Sequence, residues 1–128
     1  MVRPPVVVFA LSLCLAAAAA AQEGERRDPR AAYDAQVEEL AGVLGGAHYL
    51  RILCTGRSDQ RWRDFMRGVI SREEGRARAL TDAFNDGYRR EEARFSECDG
   101  AARSMEAELR AQGLRLADGL SAWNGVEQ

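Results

Sequence analysis

The chain has 128 residues, enough for one small domain and too few for two. Its 18 basic and 20 acidic residues leave a formal net charge of -2, which excludes the global basic field of a nucleic-acid-binding domain. Every basic residue is arginine, a bias that fits a GC-rich genome alongside the abundant alanine and glycine.

Arg3 gives the chain a positively charged start, Val6 to Ala18 is an apolar stretch, and Ala19-Ala20-Ala21 places small residues where a signal peptidase needs them. Residues 1–21 are therefore read as a secretory signal peptide cleaved before Gln22, and the expected compartment is the periplasm. The apolar stretch is shorter than the roughly 20 residues that cross a bilayer core, so no stable membrane insertion is expected after cleavage. Leu13 stands before Cys14 where lipoprotein processing wants a small residue, and Cys14 leaves with the peptide. Residues 22–27 read as a flexible polar leader, 28–123 as a helical domain and 124–128 as a C-terminal tail.

Asp28-Pro29 signals a helix start, with an N-cap carboxylate and proline at the first helical position. Tyr33, Val37, Leu40, Leu44, Ala47, Leu50 and Cys54 follow at alternating spacings of four and three, forming one apolar stripe, and Gly56 fits a C-terminal cap. Gly45-Gly46 inside the stripe marks either a kink or a place where another helix comes close. Ser58 or Asp59 is expected to cap a second helix, with Trp62, Phe65, Met66, Val69 and Ile70 as its buried face and Gly75 as its breaker. A third helix carries Leu80, Phe84, Tyr88 and Phe95 and ends near Cys98. Asp99 caps a fourth, with Ala102, Met105, Leu109, Leu116 and Leu120 facing inward. No stretch alternates with period two, so no sheet is expected. The reading is an all-α protein, a small up-down bundle of about four helices.

The mature chain keeps two cysteines, Cys54 and Cys98, in a compartment that oxidises thiols. In an up-down-up path the ends of the first and third helices lie at one pole, which suits a disulfide between them. Two thiols and one histidine are too few for a closed zinc site, so no metal and no cofactor are expected.

His48 is the one histidine, and no nucleophile motif or neighbouring carboxylate accompanies it in sequence. The run from Asp82 to Ala93 fails as a calcium loop: Phe84 stands where the third position needs an oxygen, and Ala93 where the twelfth needs glutamate. Asn85-Asp86-Gly87 is read as helix with a close-contact glycine, the alternative being a turn. Arg61, Arg63 and Arg67 near Trp62, with Arg89-Arg90 after Tyr88, read as a solvated face balanced by Glu91, Glu92 and Glu97.

Several segments together are similar to an uncharacterised family of small exported two-cysteine proteins of alphaproteobacteria, a domain of unknown function. They are Leu44 to Arg51 leading to Cys54, Trp62-Arg63 with Met66, Phe84 to Arg89, Cys98, and Gly113 with Leu116-Ala117. The resemblance runs from about Tyr33 to Leu120. The chain departs from the family's pattern at Gly75, where a proline is frequent, and at Asp99, where a threonine is frequent. The resemblance implies a two-cysteine periplasmic protein and no particular activity. It singles out His48, Tyr49, Arg51, Asn85, Tyr88 and Arg89 as polar signature residues, whose expected role is a buried network joining the first and third helices; Trp62 and Arg63 join them as candidate binding residues. The functional expectation is a non-enzymatic envelope protein that binds a partner protein or a cell-wall component. The alternative is an envelope enzyme pairing His48 with a carboxylate such as Asp86 or Glu92.

Overall fold

The computed structural model describes residues 28–126, with side chains as far as Trp123. The expected signal peptide, cleavage site and polar leader fall outside the described residues. Four helices follow in order: α1 Pro29–Thr55, α2 Arg61–Ile70, α3 Ala77–Arg94 and α4 Gly100–Val126. No strand occurs among the described residues, and the class is the all-α bundle expected from the periodicity.

The ends of α1 follow directly from its sequence. The Asp28 carboxylate accepts the Arg30 N–H at 3.0 Å and Pro29 fills the first turn. At the other end Gly56 adopts φ 101° and donates its N–H to the Ile52 carbonyl, a backbone conformation that glycine reaches without a Cβ penalty.

α1 is the hub of the fold. It packs extensively on α3 and α4 and more lightly on α2, while α2 only brushes α3. The apolar stripe expected on α1 is present, but burial is wider than one stripe. Every residue from Val43 to Leu50 is buried, because partners cover the helix on more than one face. Two adjoining cores result. One gathers Leu40, Leu44, Met66, Leu80 and Phe84, the other Val43, Ala47, Leu50, Ala102 and Leu109, and Trp62 and Leu116 touch both. Burying a side chain such as Leu50 or Leu80, each fully enclosed, contributes about 1.5–3 kcal/mol.

α3 runs parallel to α1. Arg76, just before α3, holds Asp34 and Glu38 near the start of α1, and the Cys54–Cys98 disulfide joins their far ends with Cα atoms 5.1 Å apart. The inferred up-down-up path and the inferred pairing are both found. α4 runs back antiparallel to α1: Glu106 lies 3.6 Å from Arg51, Gly113 sits beside Leu40 and Val43, and Gln36 reaches the Leu116 carbonyl.

The α1–α3 crossing is a backbone contact. A Cβ on Gly45 would overlap the Phe84 carbonyl, and a Cβ on Gly87 would overlap the Gly42 carbonyl. Gly45-Gly46 therefore marks a close approach and not a kink. Asn85-Asp86-Gly87 stays within α3 and forms no turn.

Several boundaries differ from the sequence reading. The N-cap of α2 is Gln60, with no side-chain cap; Asp59, one residue earlier, takes the Arg61 N–H at 3.4 Å. α2 ends at Ile70, well before Gly75, which turns the following loop at φ 77°. Of the five residues expected on its buried face, Met66 and Val69 are buried and Trp62 and Ile70 half-buried, but Phe65 is 46% exposed. Phe65 sits about 100° round the helix from Met66, and so short a helix buries only a narrow face. α3 stops at Arg94; Phe95 is extended, its carbonyl accepting the Tyr49 hydroxyl, and an irregular link carries the chain to Cys98. Asp99 does cap α4, accepting the Ala102 N–H at 2.8 Å, and α4 continues to Val126 beyond the expected domain end at 123.

Candidate functional site

A groove of about 610 Å³ opens between α1, α2 and α3. Its walls have a common construction. α2 supplies Arg63, Met66, Arg67 and Ile70, and α3 supplies Thr81, Phe84, Asn85 and Tyr88. Both sets follow the spacing i, i+3, i+4, i+7, which places four side chains on one helical face. α1 contributes His48 and Ile52 between them, and the α1–α2 loop adds Arg57 and Gln60. The lining thus holds three arginines, one histidine and no carboxylate.

Of these three arginines, Arg67 alone has an ion-pair partner among the described residues. Asp59 accepts from Arg51 and Arg61, each at 2.9 Å. These two guanidiniums hold the Asp59 carboxyl well below the usual carboxylate range. Arg67 meets Asp64 at 3.2 Å on the exposed surface. Arg57 and Arg63 have no ion-pair partner among the described residues. The arginine surface expected to be balanced by Glu91, Glu92 and Glu97 is balanced in that way at Arg90, which meets Glu91 at 3.2 Å, while Asp59, Asp64 and Asp86 take Arg61, Arg67 and Arg89 and Arg63 is left unpaired among the described residues.

His48 is 5% exposed, its side chain makes no hydrogen bond with any described residue, and its Nδ1 is buried without a partner. Its ring stands 5.7 Å from that of Phe84 and 6.0 Å from that of Tyr88. Burial, and then the Arg63 charge, push the imidazole below its ordinary pKa, while Asp59 and Asp64 pull weakly the other way. Neither carboxylate considered for an acid–base pair lines the groove with His48. Asp86 lines a second opening with Glu38, Glu39 and Arg90, and makes an exposed ion pair with Arg89. Glu92 lies near Tyr49, raising the pKa of that phenol behind the larger effect of its burial.

The signature residues split into three places. His48, Asn85, Tyr88 and Arg63 line the groove. Tyr49 packs edge-on against Tyr88, with ring centroids 5.2 Å apart, and its hydroxyl reaches the Phe95 carbonyl instead of α3. Arg51 turns to Asp59 in the loop and Glu106 on α4, and Arg89 is exposed. Trp62 packs into both cores with its Nε1 buried and unpartnered. No side-chain hydrogen bond links the α1 members to the α3 members; aromatic contact joins them. A single polar network through all of them is not formed, because the arginines find acids nearer at hand.

Sequence reasoning missed Arg57, Gln60 and Thr81 as groove residues, and it read Glu91 as a partner of surface arginines without its burial. The Glu91 side chain is enclosed and is held by Arg90 at 3.2 Å and Arg94 at 3.0 Å. The shared i, i+3, i+4, i+7 spacing of the two walls was the legible signal for the groove. For the burial of Glu91 none existed, since it sits in a run of charged residues. Among the described residues no group of three or more histidine, cysteine, aspartate or glutamate side chains is placed to hold a metal ion, and no helix is long and apolar enough to cross a membrane.

Residues 32–123 match the family described as protein of unknown function (DUF2385), and the chain belongs to that family. No curated protein and no solved structure is detectably similar to it.

Proposed function

We propose that this family member is an exported, non-catalytic helical protein that works in the periplasm by binding a partner protein or a cell-wall component, and that it binds through the α1–α2–α3 groove. The observation that carries this reading is the lining of the groove. Three helices and a loop converge on an open, basic and partly apolar surface in which His48 has no carboxylate to orient or relay its proton. A general base without such a partner is poorly placed for acid–base work, whereas clustered arginines beside apolar side chains suit recognition. The Cys54–Cys98 bridge fits an oxidising compartment.

The test is site-specific photo-cross-linking in cells. A photoreactive residue replaces Arg67 in the groove, and in a second strain Arg110, exposed on α4. The expected result is a discrete envelope adduct from position 67 and none from position 110, with the protein recovered in the periplasmic fraction. Equal labelling from both positions, or recovery in the cytoplasm, defeats the reading.

A further inference from the structure

The groove is more specific than a generic basic surface. Its arginines come from two separate pieces of chain. Arg63 and Arg67 stand one turn apart on α2, and Arg57 lies in the loop before that helix. The apolar lining is equally organised: Met66 and Ile70 on α2 face the groove with Phe84 on α3 and Ile52 on α1. Basic and apolar groups are thus interleaved on one face of α2, the first at positions 63 and 67 and the second at 66 and 70. Nothing acidic lines the same space, although acidic residues outnumber basic ones in the whole chain. His48 is a second, independent sign. An imidazole that is 5% exposed and without a hydrogen-bond partner among the described residues carries a desolvation cost that a polar group in the groove would relieve.

We infer that the groove takes a small amphipathic organic anion, its carboxylate or phosphate head held by Arg57, Arg63 and Arg67 and its apolar body laid along Met66, Ile70 and Phe84. Guanidinium forks match both oxyanions. The groove's volume lies within the range of about 300–1,000 Å³ typical of small-molecule sites. An acidic ligand is favoured over a neutral one because two of the three arginines lack an intramolecular partner. A cationic ligand is repelled.

This inference rests on the reading of the groove as the binding surface, and titration calorimetry with simple probes tests the two separately. The protein is expressed as the full chain and purified with its disulfide intact. The probes are decanoate, decyl phosphate, decanol and decyltrimethylammonium. Decanoate or decyl phosphate is expected to bind and the other two not, and a preference between the two anions identifies the head group. The Arg63→Ala, Arg67→Ala double variant should lose roughly tenfold in affinity per arginine, because a charge-assisted contact contributes about 1.5 kcal/mol or more. Both side chains are exposed, so the fold should survive, and Arg110→Ala should bind like the parent. Salt should weaken binding. Decanol binding as tightly as decanoate, or full affinity in the double variant, overturns the inference. If neither anion binds while position 67 still cross-links to an envelope component, the ligand class is wrong and the binding role of the groove stands.

Discussion

The Phe84 carbonyl of α3 lies against the Cα of Gly45 in α1, closer than any side chain at that position would permit. One turn further along α3, the Gly42 carbonyl approaches Gly87 in the same way, so each helix presses a carbonyl into a glycine of the other. The crossing positions both Phe84 and Tyr88 over His48, and so builds one wall of the groove.

Gly45→Ala and Gly87→Ala should each be strongly destabilising, because the added methyl meets backbone and not a side chain that can turn away. The expected loss is about 3 kcal/mol or more, at the upper end for overpacking. Gly68→Ala is the control. Nothing lies within 4 Å of its would-be Cβ, and relief of glycine's entropy in a helix should stabilise by about 0.5–1 kcal/mol. Urea unfolding followed by circular dichroism measures all three. Equal effects at Gly45 and Gly68 would contradict the backbone crossing.

The Cys54–Cys98 bridge closes a sequence separation of 44 residues and should contribute on the order of 4 kcal/mol, less whatever structure survives in the reduced unfolded chain. The Cys54→Ser, Cys98→Ser variant should remain helical, melt at lower temperature and be cut faster by protease. Thiol titration of the purified protein under denaturing, non-reducing conditions should find neither cysteine free.

Glu91 predicts an asymmetry. Removing its charge with Glu91→Gln leaves Arg90 and Arg94 about half exposed and free to turn to solvent, at a cost of about 2 kcal/mol. Removing both arginines with Arg90→Ala, Arg94→Ala strands a buried carboxylate, which should cost about 3–5 kcal/mol. Denaturation midpoints of the two variants at pH 7 give the order. The reverse order would mean that Glu91 reaches solvent.

Acid should weaken the fold in two separable steps. His48 has its pKa lowered in the folded state, so the unfolded chain binds the proton more readily. Its contribution is complete above the unfolded value of about 6.5 and falls as pH drops from there toward the folded value. Asp59 is also lowered, by its contacts with Arg51 and Arg61. Its contribution is present above the unfolded value of about 4 and is lost below it. His48→Gln should therefore flatten the stability profile between about pH 5 and 7. Asp59→Asn should flatten the profile below about pH 4 and leave the upper step in place. A parent profile that is level from pH 7 to 5 would show that the imidazole is solvated.

The helical class, the approximate element boundaries and the disulfide were legible in the chain before it folded, for local reasons. Asp28-Pro29, Gly56 and Asp99 act on backbone groups within a few residues, and a 3.6-residue apolar period describes a helix face whatever packs on it. The cysteine pair was legible because only one intramolecular pairing was open to it once Cys14 was assigned to the signal peptide. Which faces meet was decided by the tertiary structure. The period of α1 reads as a single stripe, yet α1 is covered from Val43 to Leu50, since burial depends on how many helices dock and not on the spacing within one. The candidate site divides in the same way. The spacing of Arg63, Met66, Arg67 and Ile70 is written in the sequence, but an arginine has the same letter whether it is paired or free. Arg51 and Arg61 found Asp59, Arg94 found Glu91, and Arg63 found no partner, because charge pairing acts through space and only the packed helices fix which acids come within reach.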